Sequence, residues 1–362
     1  MAIQDHNLNI SEENYRGLDI PSYSMLSSIS QQGVDVVHGI KTSMNFKFGS
    51  LVDMMCFEPH RVDDTFYKGA SVKPPTTNVK NICDLILQNI DKPIGHIAKG
   101  VSAIGRRKQK KITNELSDYR KEILASALRL KIYKTYSDDK TFDTVVNAGQ
   151  EYFKDRLTSR GKTLIKPEMW KLASITAATL ITHPYTSKYF AKNVPGVEII
   201  YQYKFDTKVR GYRCKGMLDC LIVNHDAKII IPVDLKTGEA PCKEFPRLYT
   251  SHRYYIQGAL YKEALKSIVD IDFELSGYIV KDFQFIYISK LNPGKPMLFV
   301  ASNDIHDLAL NGFKDRYGND HEGVLDLLEK YYYAKNSNSD YNEDLVLTRG
   351  MVIMNSKSIT GS

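Results

Sequence analysis

Residues 212–237 read YRCKGMLDCLIVNHDAKIIIPVDLKT, two apolar, β-branched runs parted by a polar tetrad. The runs 212–223 and 228–237 are expected to be strands, and Asn224-His225-Asp226-Ala227 suits a hairpin turn. Side chains alternate along a strand, so Ile229, Ile231, Val233 and Leu235 share one wholly apolar face. The opposite face carries Ile230, Pro232, Asp234 and Lys236, setting an acid and an ammonium about 7 Å apart on one side. On the partner strand Asp219 interrupts the apolar run. An even number of turn residues puts Asp219 on the face of Asp234, opposite or diagonal to it. An odd number separates them.

Two carboxylates close together in apolar surroundings repel, and each is costly to desolvate. A hard divalent ion such as Mg²⁺ resolves this, held by one or two carboxylates with water and substrate phosphate. A lysine beside it can position and help deprotonate an attacking water, or neutralise charge developing on a phosphoryl group. Asp219, Asp234 and Lys236 thus supply the parts for phosphodiester hydrolysis. A surface hairpin with ordinary ion pairs would show the same triplet, so the next helix matters. Over roughly 250–267 the pattern is helical, and Gln257 and Tyr261 lie four apart on one face. Gln can hydrogen-bond a phosphate or base, and Tyr can stack on or bond to a strand end. A Tyr261 packed into the core beside Ile256 and Leu260 is the plain alternative.

Further out, 46–57 (FKFGSLVDMMCF) is expected to be a helix with Leu51, Met54 and Met55 on one side, stopped at Glu58-Pro59. From Asn78 to about Leu164 the chain is Lys-rich and mostly helical in pattern, broken at Gly95, Gly100 and Gly105. Another helix starts near Pro167, with Met169, Leu172, Ala173, Ala177 and Leu180 at helical spacing and Pro184 just past its end. Strands are expected at 197–205, 278–289 and 296–301, with helix again to about Lys335. Helices, strands, one helix, strands and helix make a mixed α/β or α+β fold.

The composition is that of an ordinary globular protein: 362 residues, 25% charged and 43% hydrophobic. It excludes disordered, collagenous and coiled-repeat chains. No apolar run approaches the length of a membrane span, and the start MAIQDHNLNISEEN has neither a basic nor an apolar region of a signal peptide, so a cytoplasmic protein without a membrane partner is expected. Five cysteines, at 56, 83, 214, 220 and 242, show no C-x-x-C pair and none beyond 242. Neither a zinc site nor an iron–sulfur cluster is expected. The net charge of +7 is concentrated at Arg106-Arg107-Lys108-Gln109-Lys110-Lys111, either a solvated surface or a phosphate-contacting patch. Gly161-Lys162-Thr163 is not a P-loop end, because Arg156 stands where Gly is required. His225 and His252 have no partner at metal-ligand spacing.

Asp219…Asp234-Leu235-Lys236 followed by Gln257-Gly258-Ala259-Leu260-Tyr261 resembles the PD-(D/E)xK nucleases of the RecB-like branch. The surrounding text is similar to the RecE/lambda-exonuclease-like phage and prophage exonucleases, in Gly49-Ser50-Leu51-Val52-Asp53…Glu58-Pro59, in Trp170…His183-Pro184 and in Arg253-Tyr254-Tyr255-Ile256-Gln257. The resemblance covers roughly residues 20–60 and 165–300. It implies a restriction-endonuclease-like core, a central mixed sheet flanked by helices, and a Mg²⁺-dependent exodeoxyribonuclease that processes DNA ends for recombination or repair. Asp219 and Asp234 would ligate the metal and Lys236 would activate water. Gln257 and Tyr261 would orient the scissile strand, and Asp53 or Glu198 would complete the coordination. Asp53 stands where most relatives have His, which suits Mg²⁺ or Mn²⁺. An exposed strand-edge Glu is the other reading of Glu198.

DNA is the implied partner, contacted by Arg106, Arg107, Lys108, Lys110, Lys111 and Arg253. A single-strand annealing protein and a ring-like homo-oligomer are further implications. The division expected is an N-terminal helical part of the nuclease core (1–78), a helical Lys-rich insert (79–164), the catalytic core (165–335) and a polar tail (336–362). A non-catalytic DNA-binding or end-protecting protein, or a structure-selective endonuclease, would share the fold. The first would lack one of the acids or the lysine, and all three are present.

Overall fold

The computed structural model describes residues 2–37, 47–69, 74–90, 113–191 and 193–336. Two compact units make up the chain: Met1–Pro59 with Leu172–Ser362, and His60–Lys171. In chain order the strands are β1 (Phe66–Lys68), β2 (Thr163–Ile165), β3 (Val197–Val209), β4 (Tyr212–Asn224), β5 (Ile229–Gly238), β6 (Ile279–Val280), β7 (Phe283–Ser289), β8 (Asn292–Ala301), β9 (Phe313–Lys314) and β10 (Asp320–His321).

In the larger unit six strands form one sheet in the order β3-β4-β5-β7-β8, with β6 also beside β5. The pairs β3/β4, β4/β5 and β7/β8 are antiparallel, and β5/β7 is parallel, so the sheet is mixed as the sequence implied. Parallel neighbours need a crossover. Here it is made by the helices Phe245–Ser251 and Tyr254–Ile271. Where one helix over roughly 250–267 was expected, the chain turns between two of them, at Arg253, whose φ is +57°.

Tyr254–Ile271 is buried on nearly every side, from Tyr255 through Leu265. Its Ile256, Leu260, Ala264 and Ile268 join Tyr203, Phe205, Phe245, Phe283 and Phe285 in the core. The strand expected over 278–289 is interrupted between Val280 and Phe283, and the one expected at 296–301 begins at Asn292. The C-terminal helical region is two helices, Asn303–Asn311 and Val324–Asn336, with the β9/β10 hairpin between them. The helix 47–57 and the helix from Pro167 stand where expected.

The unit His60–Lys171 has its own core. The helices Thr77–Ile90, Arg120–Arg129 and Asp138–Thr158 pack Val79, Ile82, Ile86, Ile123, Val145 and Phe153 together. Gly149 permits this closeness, since a Cβ there would lie 2.9 Å from both Cys83 Sγ and Val79 Cγ1. β1 and β2 form a parallel pair in this unit. The basic run 106–111 and the tail beyond Asn336 lie outside the described residues.

Candidate active site

The turn between β4 and β5 settles the face of Asp219. Asn224 pairs with Ile229, leaving four residues, an even number, in the loop. Asn224 closes it by accepting from the Ala227 amide over 2.8 Å. The ladder runs to Cys220↔Val233, so Asp219 and Asp234 are the next two residues facing each other. There the pairing changes: the Leu235 amide donates to Asp219 Oδ2 over 2.8 Å instead of to a backbone carbonyl. The side chain thus replaces a rung of the sheet and is fixed by it.

Asp234 is 3% exposed, and two side chains engage its carboxylate oxygens. Gln257 Nε2, one turn into the crossover helix, donates to its Oδ1 over 2.6 Å. Lys236 Nζ lies 2.6 Å from its Oδ2 as an ion pair, without the angles of a hydrogen bond, so Oδ2 has no hydrogen-bond donor. Tyr254 covers the lysine, its ring centroid 4.8 Å from Nζ. The ring is itself held by near-parallel stacking on Phe245 and Phe285.

A helix brings the third acid. Gly49 of Lys47–Phe57 lies so close to β5 that a Cβ would come 3.0 Å from Thr237 Oγ1. Asp53 is one turn further along the same helix face. Burial pushes its carboxyl up to about 8, with the charge of Asp234 acting in the same direction and Lys236 against it. Burial also holds Asp219 well above the usual carboxylate range, reinforced by Asp234 and Asp53. For Lys236 burial favours the neutral amine, but Asp234, Tyr23, Tyr254 and Asp219 together hold the ammonium above its ordinary range. One lysine therefore faces three carboxylates, of which two resist ionising. That is the electrostatic signature of a place that needs more positive charge than the chain provides.

Among the described residues, no three acidic, histidine or cysteine side chains are grouped closely enough to hold an ion by themselves. The donor set nevertheless fits a hard divalent cation, which keeps waters and takes part of its shell from phosphate, needing only one or two carboxylates. Asp234 Oδ2, buried and neighboured by the Lys236 ammonium, is the atom that such an ion would share.

Asp53, Asp219, Asp234, Lys236 and Gln257 are thus brought together, and three other expected residues are not. Glu198 is a correction. It pairs with Val223 near the hairpin turn, accepts from Gln4 Nε2 over 2.9 Å and lies 3.5 Å from His225 Nε2. Asp219 is four residues back along β4, roughly 13 Å away. The β3 residue facing Asp219 by register is Gln202, whose φ of +52° interrupts the ladder there. Tyr261 is a second correction: it is a core residue, 5% exposed, edge-on to Phe205 at 5.4 Å. It fills the space left by Gly216, where a Cβ would lie 2.7 Å from its Cε1, so its ring is not open to a DNA strand. Arg253 is a third, in its place and not in its expected contact with DNA: the half-buried guanidinium donates to Ser30 Oγ over 2.9 Å and to the Ser30 carbonyl over 3.2 Å, tying the turn before the crossover helix to the helix Tyr23–Gln32.

Two residues at the site were missed. Tyr254 falls three before Gln257, a helical spacing that marks it in the sequence. Tyr23 is within electrostatic reach of Lys236 and Asp234 and donates to the His252 carbonyl over 3.0 Å, and no local pattern signals it.

A mixed sheet with a D…D-x-K hairpin and a crossover-helix glutamine on its second acid defines a PD-(D/E)xK nuclease core. The match of a family model to residues 26–317 makes the assignment specific: the chain belongs to the family described as PDDEXK-like domain of unknown function (DUF3799). The crystal structure of a protein of Eubacterium rectale, provisionally named an exonuclease, is similar over 96% of each chain at 13% identity, with a TM-score of 0.43. No curated protein matches.

Proposed function

We propose that the chain is a divalent-metal-dependent deoxyribonuclease that works as an exonuclease on DNA ends, in recombination or repair. The observation that carries this is the facing pair Asp219 and Asp234, with Lys236 Nζ 2.6 Å from the second carboxylate. Asp219 and Asp234 would hold the ion, with Asp53 completing the acidic set. When bound, the ion supplies Lewis-acid stabilisation of the phosphoryl oxygens and acidifies a water.

The chain's own residues do the rest. Gln257 holds Oδ1 of Asp234 and so fixes the orientation of that carboxylate. The Leu235 amide does the same for Asp219. Lys236, kept as an ammonium by its acidic neighbours, offers hydrogen bonds to an attacking water and positive charge to the developing phosphorane. Tyr254 limits where that ammonium can move and shields one side of it from water.

Digestion of linear and covalently closed duplex DNA, labelled at either terminus, in Mg²⁺ and in EDTA tests the proposal. Loss of label from linear DNA alone, abolished by EDTA, is expected. Cleavage of the closed circle would make the protein an endonuclease, and cleavage in EDTA would overturn the metal dependence.

A further inference from the structure

Charge is divided unevenly between the two units. Residues 60–171 carry 23 Lys and Arg against 13 Asp and Glu, an excess of ten, whereas the chain as a whole carries +7. The unit with the acidic site is therefore net negative, by three. A nuclease substrate is a polyanion, and a net-negative catalytic unit does not attract it. The net positive charge that can attract it belongs to residues 60–171.

Within that unit one concave feature collects cations. A cavity of about 300 Å³ is lined by Leu87, Arg156, Ser159, Arg160, Gly161 and Lys162. Three of the six are cationic and none is acidic. They lie at the end of the helix Asp138–Thr158 and in the turn that follows. Cations at a helix C-terminus can serve merely to complement its dipole. Here, though, the chain itself already engages three of the last four carbonyls: Ser159 N donates to Asp155 O over 2.9 Å, Arg160 N to Leu157 O, and the Ser159 hydroxyl to Arg156 O over 3.2 Å. Gly161, at φ +72°, lets the chain reverse within one residue, and the Lys162 amide closes the turn on Ser159 O over 2.9 Å. This reversal brings Lys162, the residue just before β2, back beside Arg156 and Arg160. Arg offers a planar fork and Lys a point charge, a combination suited to the oxygens of a phosphodiester.

We propose that the cavity lined by Arg156, Arg160 and Lys162 is a DNA-backbone site, which grips duplex phosphates without reading sequence and takes no part in the chemistry. It rests on the proposal that DNA is the substrate. The basic run 106–111 accounts for five of the ten excess positive charges counted above.

The test uses the full chain, a fluorescein-labelled 30-base-pair blunt duplex and EDTA, so that binding is measured without turnover. Each phosphate contact contributes about 0.9 to the slope of log K against log salt. The variant R156Q/R160Q/K162Q should bind at least about tenfold more weakly at 50 mM NaCl, with a slope shallower by about two to three. Hydrolysis at saturating DNA in Mg²⁺ should be unchanged. R156K/R160K/K162R, which keeps every charge, should retain most of the slope, and circular dichroism checks that both variants fold. A control, K121Q/K131Q/K134Q, removes three exposed cations elsewhere in the same unit. If it weakens binding as much as the cavity variant, the unit's overall field binds DNA and the site is overturned. Superimposable curves for wild type and cavity variant overturn it as well. If wild type binds the duplex through the cavity but never hydrolyses it, the nuclease proposal fails and the site stands. If hydrolysis is intact and the cavity variant binds like wild type, the site fails and the nuclease proposal stands.

Discussion

Gln257 Nε2 donates to Asp234 Oδ1 over 2.6 Å, joining the crossover helix to the strand that precedes it. The bond is buried, and Gln257 Oε1 has no hydrogen-bond partner. A glutamine whose amide nitrogen is engaged while its oxygen is unmatched is placed for the carboxylate, not for packing. Orienting groups behind a metal ligand typically contribute about 10–100-fold to affinity or activity. Gln257→Ala should therefore lower kcat by about that factor and shift the Mg²⁺ midpoint of activity upward, with little change in DNA affinity. An unchanged Mg²⁺ midpoint would reduce Gln257 to a core residue.

Asp219 can be tested without disturbing the sheet. Its Oδ2 accepts from the Leu235 amide, and an asparagine oxygen can accept that bond equally well. Asp219→Asn should keep the fold and its thermal midpoint yet lose activity by about a thousandfold or more, because the charge that would bind the ion is gone. Asp234→Ala should be at least as inactive. Appreciable turnover by Asp219→Asn would remove it from the metal-binding set.

Lys236 and Tyr254 make a pair with separable effects. Lys236→Ala should abolish turnover while leaving DNA binding nearly intact, since its charge counts most in the transition state. Tyr254→Phe keeps the ring over the ammonium and should remain close to wild type. Tyr254→Ala frees the lysine and should lower kcat by several-fold with KM little changed. A Lys236→Ala protein that lost binding and rate together would be missing a phosphate clamp.

The hairpin chemistry was legible in part: strand alternation and an even-length turn are local properties that put Asp219 on the face of Asp234, opposite or diagonal to it, while the register Asn224↔Ile229 is what sets the two opposite. Gln257 was legible through helical spacing. Tyr261 shares that spacing, but which turn of a helix enters the core depends on what lies across from it, here Gly216 and Phe205. Glu198 failed for a similar reason. Its place along β3 follows from register with β4 and from the irregularity at Gln202, which a strand pattern does not encode. The hydrogen bond of Arg253 to Ser30, 223 residues earlier in the chain, is a tertiary contact that no local pattern signals.

Asp53 gives a pH-dependent stability of definite sign. Its carboxyl is raised to about 8 in the folded chain, from an ordinary value of about 4 unfolded. Between those values the folded state binds the extra proton, so this contribution is complete below about pH 4 and is lost as pH rises through about 8. In EDTA, thermal midpoints of wild type should fall relative to those of Asp53→Asn as pH rises from 5 to 8.5. Mg²⁺ should restore the wild type, more at pH 8.5 than at pH 5, because the ion competes with that proton. Parallel midpoint curves for the two proteins in EDTA would mean that Asp53 titrates as an ordinary surface acid.

Gly49 sets the distance between the helix of Asp53 and the strand of Lys236. A Cβ at residue 49 would stand 3.0 Å from Thr237 Oγ1, closer than ordinary contact, so helix or strand has to yield slightly. In a helix interior Gly→Ala is worth up to about 1 kcal/mol of propensity. Gly49→Ala thus sets two effects against each other: a better helix former, and a helix lifted from β5 with its aspartate. Activity should fall several-fold while the thermal midpoint changes little or rises. Removing the obstacle on the other side, with Thr237→Ala, should restore activity in the double variant although Thr237→Ala alone is near wild type. The coupling between two touching residues is what a double-mutant cycle reads. If the double variant is no more active than Gly49→Ala, the spacing of helix and strand does not govern the site, and the glycine is dispensable.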